Sequence, residues 1–428
     1  MKKLLIAMMI LSLLAPACAF AQQEPVRIVF WHSATEDAGE LMAGYIDTFN
    51  RTIGAEKGIQ VEAVFQGSYS DSVSKMRSIL SAGNLEELPD LMQLDATGKV
   101  AYQTAENAYT IDKAMADHPE ADFSSFLAPA MDNWKLSGEQ LGLPFATSTT
   151  VTYYNKSLIG QAPDTLSDIA NLAGSVEVPE DGCIYACVPN TPTLANWIGQ
   201  LGGYVVDRKN GSEGMATRLD CLEDGTLQAF LTEWKALYAS GALKNVASST
   251  DEFVAGKQLI MTSSSSSVNA MLEKIGGAFE LGVAAYPRVS DEAQMGATVS
   301  GSCLVMFDQG DARKEAAWEL LNYLTGADVQ ADFAAGTGYL PSSSDAAESA
   351  VWQDLIAGNP IFNVGYEQIL STPPAMCSVT VGPSADFYYA IQNDVSEMLD
   401  QDLSPEEAVE LMEEDLGGLL DQYAKANG

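Results

Sequence analysis

A chain of 428 residues, 47% of them hydrophobic, is too long for one core and too apolar for a disordered polymer, so two lobes are expected. Its 22 basic and 58 acidic residues give a net charge of −36, which excludes charge-driven binding to nucleic acid or to an anionic membrane. An acid-rich surface of this kind suits a saline habitat or ordinary solubility equally well.

The chain opens with Met1-Lys2-Lys3, then an apolar run from Leu4 to Leu14, then Ala19-Phe20-Ala21 before Gln22. This is the order of a secretory signal peptide, and the run falls short of the ~20 residues needed to span a bilayer. Cleavage after Ala21 is favoured. Leu14-Ala15-Pro16-Ala17-Cys18 is a fainter lipobox-like alternative in which Cys18 would carry a lipid.

Val26 to Trp31 reads as a buried first strand and Glu36 to Thr52 as a helix, through Leu41, Ile46 and Phe49. Ile59 to Phe65 alternates as a second strand, Asp71 to Ala82 is helical up to Gly83, and Asp90 to Leu94 is a third strand. Strand, helix, strand, helix, strand is the α/β rhythm of a mostly parallel sheet. Ligands of such sheets sit beyond the carboxyl ends of the strands, which points to loops 32–35, 67–70 and 95–98.

Pro144 to Thr150 is a crossing rich in small hydroxyl residues, and Val151 to Tyr154 begins a second α/β unit. Helices are expected over 193–201, 226–240 and 251–257, followed by a strand from Gln258 to Thr262. Ser263 to Ser267 is a run of five serines. Standing between a strand and the helical pattern 268–274, it reads as a helix-entry loop rather than a flexible linker. A strand at 281–286 and a second crossing at 297–307 follow, then helices at 313–325 and 327–335. Thr337-Gly338-Tyr339-Leu340-Pro341, Pro373-Pro374, a helix at 386–399 and an acidic helix at 405–424 complete the chain.

Cys183, Cys187, Cys221, Cys303 and Cys377 lie beyond the leader. An oxidising compartment permits one bridge among the first three, with an odd thiol left over. Metal-site spacing is absent, and the two histidines, His32 and His118, are far from the cysteines in sequence. No Gly-x-Ser-x-Gly, His-Glu-x-x-His or Gly-Lys-Ser/Thr signature occurs. No cofactor or catalytic residue is therefore assigned. Tyr69 and Tyr339 stand beside glycines at loop positions, where an aromatic ring offers a face to sugar C–H groups and a hydroxyl to their oxygens.

Several segments, in order, resemble the extracytoplasmic solute-binding proteins of ABC importers, especially the branch containing the glycerol-3-phosphate-binding proteins. They are Phe30-Trp31-His32-Ser33, Gln66-Gly67-Ser68-Tyr69, Gln93-Leu94-Asp95, the crossing that holds Ser148, Met261-Thr262 with its serines, Ser300-Gly301-Ser302, and Thr337 to Pro341. The resemblance implies a periplasmic-binding-protein fold of two α/β lobes, each a mostly parallel sheet flanked by helices, joined by three crossings. Lobe I would be 22–146 plus 300–340, and lobe II 147–299 plus 341–428.

The resemblance also implies a ligand set. Asp95 accepts hydroxyls, Ser148, Ser265 and Ser266 hydrogen-bond them, Tyr69 and Tyr339 supply faces and hydroxyls, and Gly301 lies in the second crossing. Two positions depart from the branch. Its phosphate-gripping Arg matches Thr380, with no Arg or Lys between Ala375 and Pro383, and its cleft Trp matches the stretch before Trp197. Trp197 either replaces that ring or packs a helix. A neutral hydroxyl in place of a bidentate cation demotes simple glycerol 3-phosphate in favour of a polyol, sugar or small phosphodiester. The expected partners are that solute and the permease subunits, with no nucleic acid. The expected state is a periplasmic monomer that is not an enzyme. A ligand-sensing protein and an extracytoplasmic glycoside or ester hydrolase are the alternatives.

Overall fold

The structure, a computed structural model, describes residues 24–427, so the leader and the Cys18 alternative lie outside the described residues. Val26–His32 runs parallel to Ile59–Phe65 on one side and to Leu91–Asp95 on the other. Helices Glu36–Arg51 and Tyr69–Ala82 carry the chain back between these strands. The second helix begins two residues before its apolar periodicity does, because Ser68 caps it. Ser68 Oγ accepts from Asp71 N at 3.2 Å, and the Asp71 carboxylate accepts from Ser68 N at 2.9 Å. Tyr69 is thus the first residue of a helix and not part of a free loop.

Leu143–Asn155 is a single strand of 13 residues where the sequence suggests a crossing and then a strand. Thr147, Thr149, Thr150, Val151 and Thr152 hold it extended throughout. Its first half pairs antiparallel with Val299–Phe307, from Leu143↔Leu304 to Thr149↔Val299. Its second half pairs antiparallel with Gln258–Ser264 and with Leu281–Ala284. Cys183–Ala186 lies parallel to Gln258–Ser264 and to Leu243–Lys244. The result is one ten-stranded sheet, parallel among the outer strands of each half and antiparallel wherever a crossing strand takes part. A third crossing lies alongside: Leu340 N donates to Thr147 O at 2.8 Å, and the Ser342 and Thr147 hydroxyls are 2.6 Å apart.

The apolar side chains collect in separate clusters. Phe30, Leu91, Phe145, Leu304 and Met306 bury one face of the first sheet, and Met92, Leu94, Cys303 and Val305 the other. A different cluster, around Trp197, Phe230, Trp234 and Tyr286, receives helices Thr191–Gln200, Thr226–Ala239, Ser384–Asp400 and Pro405–Asn427. Two cores and a shared set of crossing strands make the two-lobed α/β architecture. The serine run is a helix entry, since Ser265–Ser267 forms one tight turn between Gln258–Ser264 and Val268–Ile275.

The disulfide expectation is corrected: Cys183, Cys187, Cys221, Cys303 and Cys377 are all free. Cys183 and Cys187 lie along one extended segment, and four residues at about 3.3 Å each put their Cα atoms about 13 Å apart, beyond the ~7 Å reach of a bridge. Cys187 and Cys221 share a core unbridged. Burial pushes the Cys187 thiol up to about 12, leaving it an inert core side chain.

Candidate ligand-binding site

Leu91–Asp95 supplies the first residues of the site. It reads Leu-Met-Gln-Leu-Asp, and the buried Gln93 side chain organises its surroundings. Gln93 Nε2 donates to Tyr69 OH at 3.0 Å and to Ser302 Oγ at 2.9 Å, while Oε1 accepts from Ser33 N at 3.1 Å. The end of the first strand, the start of helix Tyr69–Ala82 and the second crossing are thereby tied at one point. Sequence reasoning missed Gln93, although an amide between apolar neighbours in a buried strand is a visible anomaly.

Tyr69 and Tyr339 are close enough for each phenol to bear on the other, and Ser266 lies beside Tyr339. Burial raises both phenols above their ordinary value, so they act as neutral donors and acceptors. Tyr339 is aimed by Gly338, which takes a φ of 84° as the left-handed cap of helix Ala327–Thr337. Its ring stacks on Phe333 at 5.8 Å between centroids. Ser266 stands in the turn before helix Val268–Ile275 and Tyr339 just beyond helix Ala327–Thr337, so separate elements bring them together.

Asp95 ends its strand directly opposite Ser302. Burial raises its carboxyl above the ordinary value, opposed by hydrogen bonds from Thr97 and by the Arg77 charge. Thr97 Oγ1 donates to Asp95 Oδ1 at 2.7 Å, which leaves the second carboxylate oxygen as an acceptor for another hydroxyl. Ser148 Oγ lies 3.0 Å from Ser300 Oγ, across the paired crossing strands. Ser265 is committed to the backbone, its Oγ accepting from Thr149 N at 3.2 Å, so of the two serines it is Ser266 whose hydroxyl bears on Tyr339.

Gly301 has a backbone role. Its φ is 110°, and a Cβ there would stand 1.7 Å from Ala146 O. It sits beside the register shift between Ser302 and Cys303, where the two crossing strands come closest.

Two sequence candidates stand apart from this cluster. Trp197 is fully buried, stacked on Phe230 at 5.0 Å, with its indole N–H donating to Pro287 O at 3.2 Å. Of its two readings, replacement ring or helix packing, the structure gives packing, because helix Thr191–Gln200 is enclosed on both faces. Thr380 is half-buried, its backbone N donating to Asn210 O at 2.7 Å. His32 packs between Phe30 and Phe65, and burial lowers its basicity.

A cavity of about 180 Å³ adjoins the crossings, lined by Pro129, Asp132, Asn133, Val299, Pro373 and Cys377, among others. Among the described residues no cluster of His, Cys, Asp and Glu could hold a metal ion, and no helix is long and apolar enough to cross a membrane.

Comparison with known proteins places this geometry. The family described as bacterial extracellular solute-binding protein matches residues 44–359. The sn-glycerol-3-phosphate-binding periplasmic protein UgpB of Yersinia pseudotuberculosis is 24% identical over 359 residues, 81% of each chain. Among solved structures, UgpB from Mycobacterium tuberculosis in complex with glycerophosphocholine superposes with a TM-score of 0.75 at 18% identity, covering 93% of this chain and 99% of that one. The cyclic alpha-maltosyl-1,6-maltose binding protein from Arthrobacter globiformis gives 0.75 at 18% identity, covering 93% and 100%. These relatives are binding proteins, and the hydrolase alternative finds no support among them. With the family match spanning most of the chain, this protein belongs to the bacterial extracellular solute-binding proteins, the solute-capturing components of ABC importers.

Proposed function

We propose that the protein captures a small hydroxylated solute (a polyol, sugar or glycerophosphodiester) between two lobes and hands it to its permease. The lobes are 22–146 with 300–340 and 147–299 with 341–428, hinged where 143–155, 299–307 and 339–343 run side by side. The observation that carries the reading is the cluster of hydroxyls of Tyr69 and Tyr339 from the first lobe and Ser266 from the second, backed by Gln93 and Asp95. Only closure brings such an array together, so a solute that bridges it favours the closed state. Ser148 with Ser300 and the free oxygen of Asp95 extend the array along the crossings. Ser265 and Gly301 serve it through the backbone.

The leader reading and the periplasmic relatives support a periplasmic location. Nothing in the site calls for turnover, and the acid-rich surface supports a monomer that avoids nucleic acid. A thermal-shift panel of polyols, sugars and glycerophosphodiesters tests the reading. A ligand at 100 times its Kd should stabilise the protein by about 2.7 kcal/mol, and Tyr339→Ala should abolish that gain. Normal ligand response in Tyr339→Ala removes the hydroxyl array from the site.

A further inference from the structure

Lys135–Leu136 and Glu139–Gln140 form a small antiparallel hairpin, and its two loop residues, Ser137 and Gly138, have φ of 53° and 81°. Positive φ at both positions is the mirror-turn geometry that suits a two-residue hairpin. Trp134 and Leu136 bury with Met92 and Leu94, so the hairpin belongs to the core of the first sheet. Ser137 is exposed, yet its N–H has a distant partner and donates to Ser212 O at 2.6 Å. Four residues earlier, Asn133 Oδ1 accepts from Ser378 Oγ at 2.9 Å. Asn133 is buried and held from behind, its own carbonyl accepting from Lys99 Nζ at 3.0 Å.

The opposite side of this contact is a strained piece of backbone. Arg208, Lys209, Asn210 and Gly211 take φ of 56°, 50°, 56° and 76° in succession, a left-handed turn with three side chains on it. Elsewhere among the described residues such non-glycine positions occur singly. L-residues visit this region one at a time because the Cβ crowds the following carbonyl. Asn210 holds the turn together. Its Oδ1 accepts from Val205 N at 2.7 Å and Val206 N at 3.2 Å, its Nδ2 donates to Cys377 O at 3.0 Å, and its carbonyl accepts from Thr380 N at 2.7 Å. Val205, Val206 and Val381 bury in the cluster around Trp197. The turn and segment 377–380 are thus one unit of the second core, and that unit carries both Ser212 O and Ser378 Oγ. Strain that the surroundings over-determine in this way marks clamps and switches.

We propose that this unit and the edge from Asn133 to Ser137 form a latch that holds the two lobes together before any solute arrives. The proposal rests on the two-lobe reading and adds to it a source of closure other than the ligand. Both bonds join neutral groups, so the latch biases the equilibrium between open and closed forms without locking it. A protein whose binding-competent form is already populated loses less affinity to closure. That gain is the same for every solute, because neither bond uses a group of the hydroxyl cluster.

Hydrogen exchange resolved to single amides tests the latch on the full chain, because the bond to Ser212 shields the Ser137 N–H only while the lobes are closed. In the solute-free protein Ser137 should exchange at least tenfold more slowly than an unbonded amide. Ser378→Ala should speed that exchange about fivefold, the worth of one neutral hydrogen bond, while the amide of Phe30 in the first strand keeps its rate. Asn210→Asp keeps the acceptor for Val205 and Val206 but loses the donor to Cys377. It should act in the same direction, and it keeps the test open should Ser378→Ala fail to fold. Calorimetry with glycerophosphocholine and maltose should show binding weakened in Ser378→Ala by the same factor, fivefold at most, for each probe that binds. Unchanged exchange at Ser137 in both variants overturns the latch. So does a Ser137 amide that is unprotected in the free chain and gains protection only when glycerophosphocholine or maltose is added, a result that leaves the two-lobe, solute-binding reading intact. If Ser137 is unprotected under every condition the latch also falls, and the solute-binding reading is decided separately by the response of Tyr339→Ala.

Discussion

Gly301→Ala is the sharpest test of the crossing geometry. A φ of 110° is open to glycine and strained for alanine, at a cost of about 1–3 kcal/mol. The new methyl would also stand 1.7 Å from Ala146 O and 2.9 Å from its carbonyl carbon, so the paired strands must separate. Forcing atoms into a packed region costs roughly another 1–3 kcal/mol, which gives about 4 kcal/mol in all. With unfolding entropy near 2.1 cal/mol/K per residue, some 400 residues yield about 0.8 kcal/mol/K, so Tm should fall by roughly 5 °C. Gly310→Ala is the matched control. Its φ of 101° is as strained, yet nothing lies within 4 Å of a Cβ there. Scanning calorimetry of both variants separates strain from collision. Because Ser300 and Ser302 flank Gly301, the ligand-induced rise in Tm should shrink in Gly301→Ala and persist in Gly310→Ala. Equal drops in the two variants would refute the claim that close strand approach fixes this glycine.

Other predictions concern the frame. Asp394 is buried between helices Ser384–Asp400 and Pro405–Asn427, and burial first, then the neighbouring Asp415, raises its pKa from 3.8 to about 7. The folded state therefore holds this proton longer than the unfolded chain. Its stabilising contribution is fully present below about pH 4 and lost as pH rises through 7, on the order of 4 kcal/mol at most. Asp394→Asn should raise the urea midpoint at pH 8 and flatten that slope; an unchanged slope would sink the assignment. Trp197→Ala should cost about 3–5 kcal/mol of stability with little change in affinity per folded molecule, as measured by denaturant unfolding and calorimetry. A large affinity loss without destabilisation would return Trp197 to the site. Thiol titration should find five reactive groups beyond the leader in the unfolded protein without reductant, and reductant should leave Tm unchanged. Fewer than five would reinstate a bridge.

Much of the fold was readable because its elements are local. Apolar alternation marks Ile59–Phe65, Ser68 with Asp71 and Gly83 bracket a helix, and the serine run announces a helix entry between two patterned segments. The continuity of Leu143–Asn155 was hidden, since what holds residues 143–149 extended is a partner more than 150 residues away in sequence. Trp197 stayed ambiguous for a related reason: helix Thr191–Gln200 is buried from Leu194 through Gln200, so its periodicity does not tell an inward face from a cleft face. Cys183 and Cys187 suggested a bridge by proximity along the chain, which on an extended strand means separation in space.

The site divides along the same line. Tyr69, Asp95, Ser266 and Tyr339 stand at ends of strands and helices, where chain order alone suggests a ligand. Gln93 does not: it stands inside a strand, and only the fold brings Ser33, Tyr69 and Ser302 to its amide. The absence of Arg or Lys after Pro373-Pro374 is a statement about one segment, whereas an anion senses every cation within a few ångströms, whatever its place in the sequence. The missing grip at Thr380 therefore excludes a bidentate guanidinium without excluding a charged ligand.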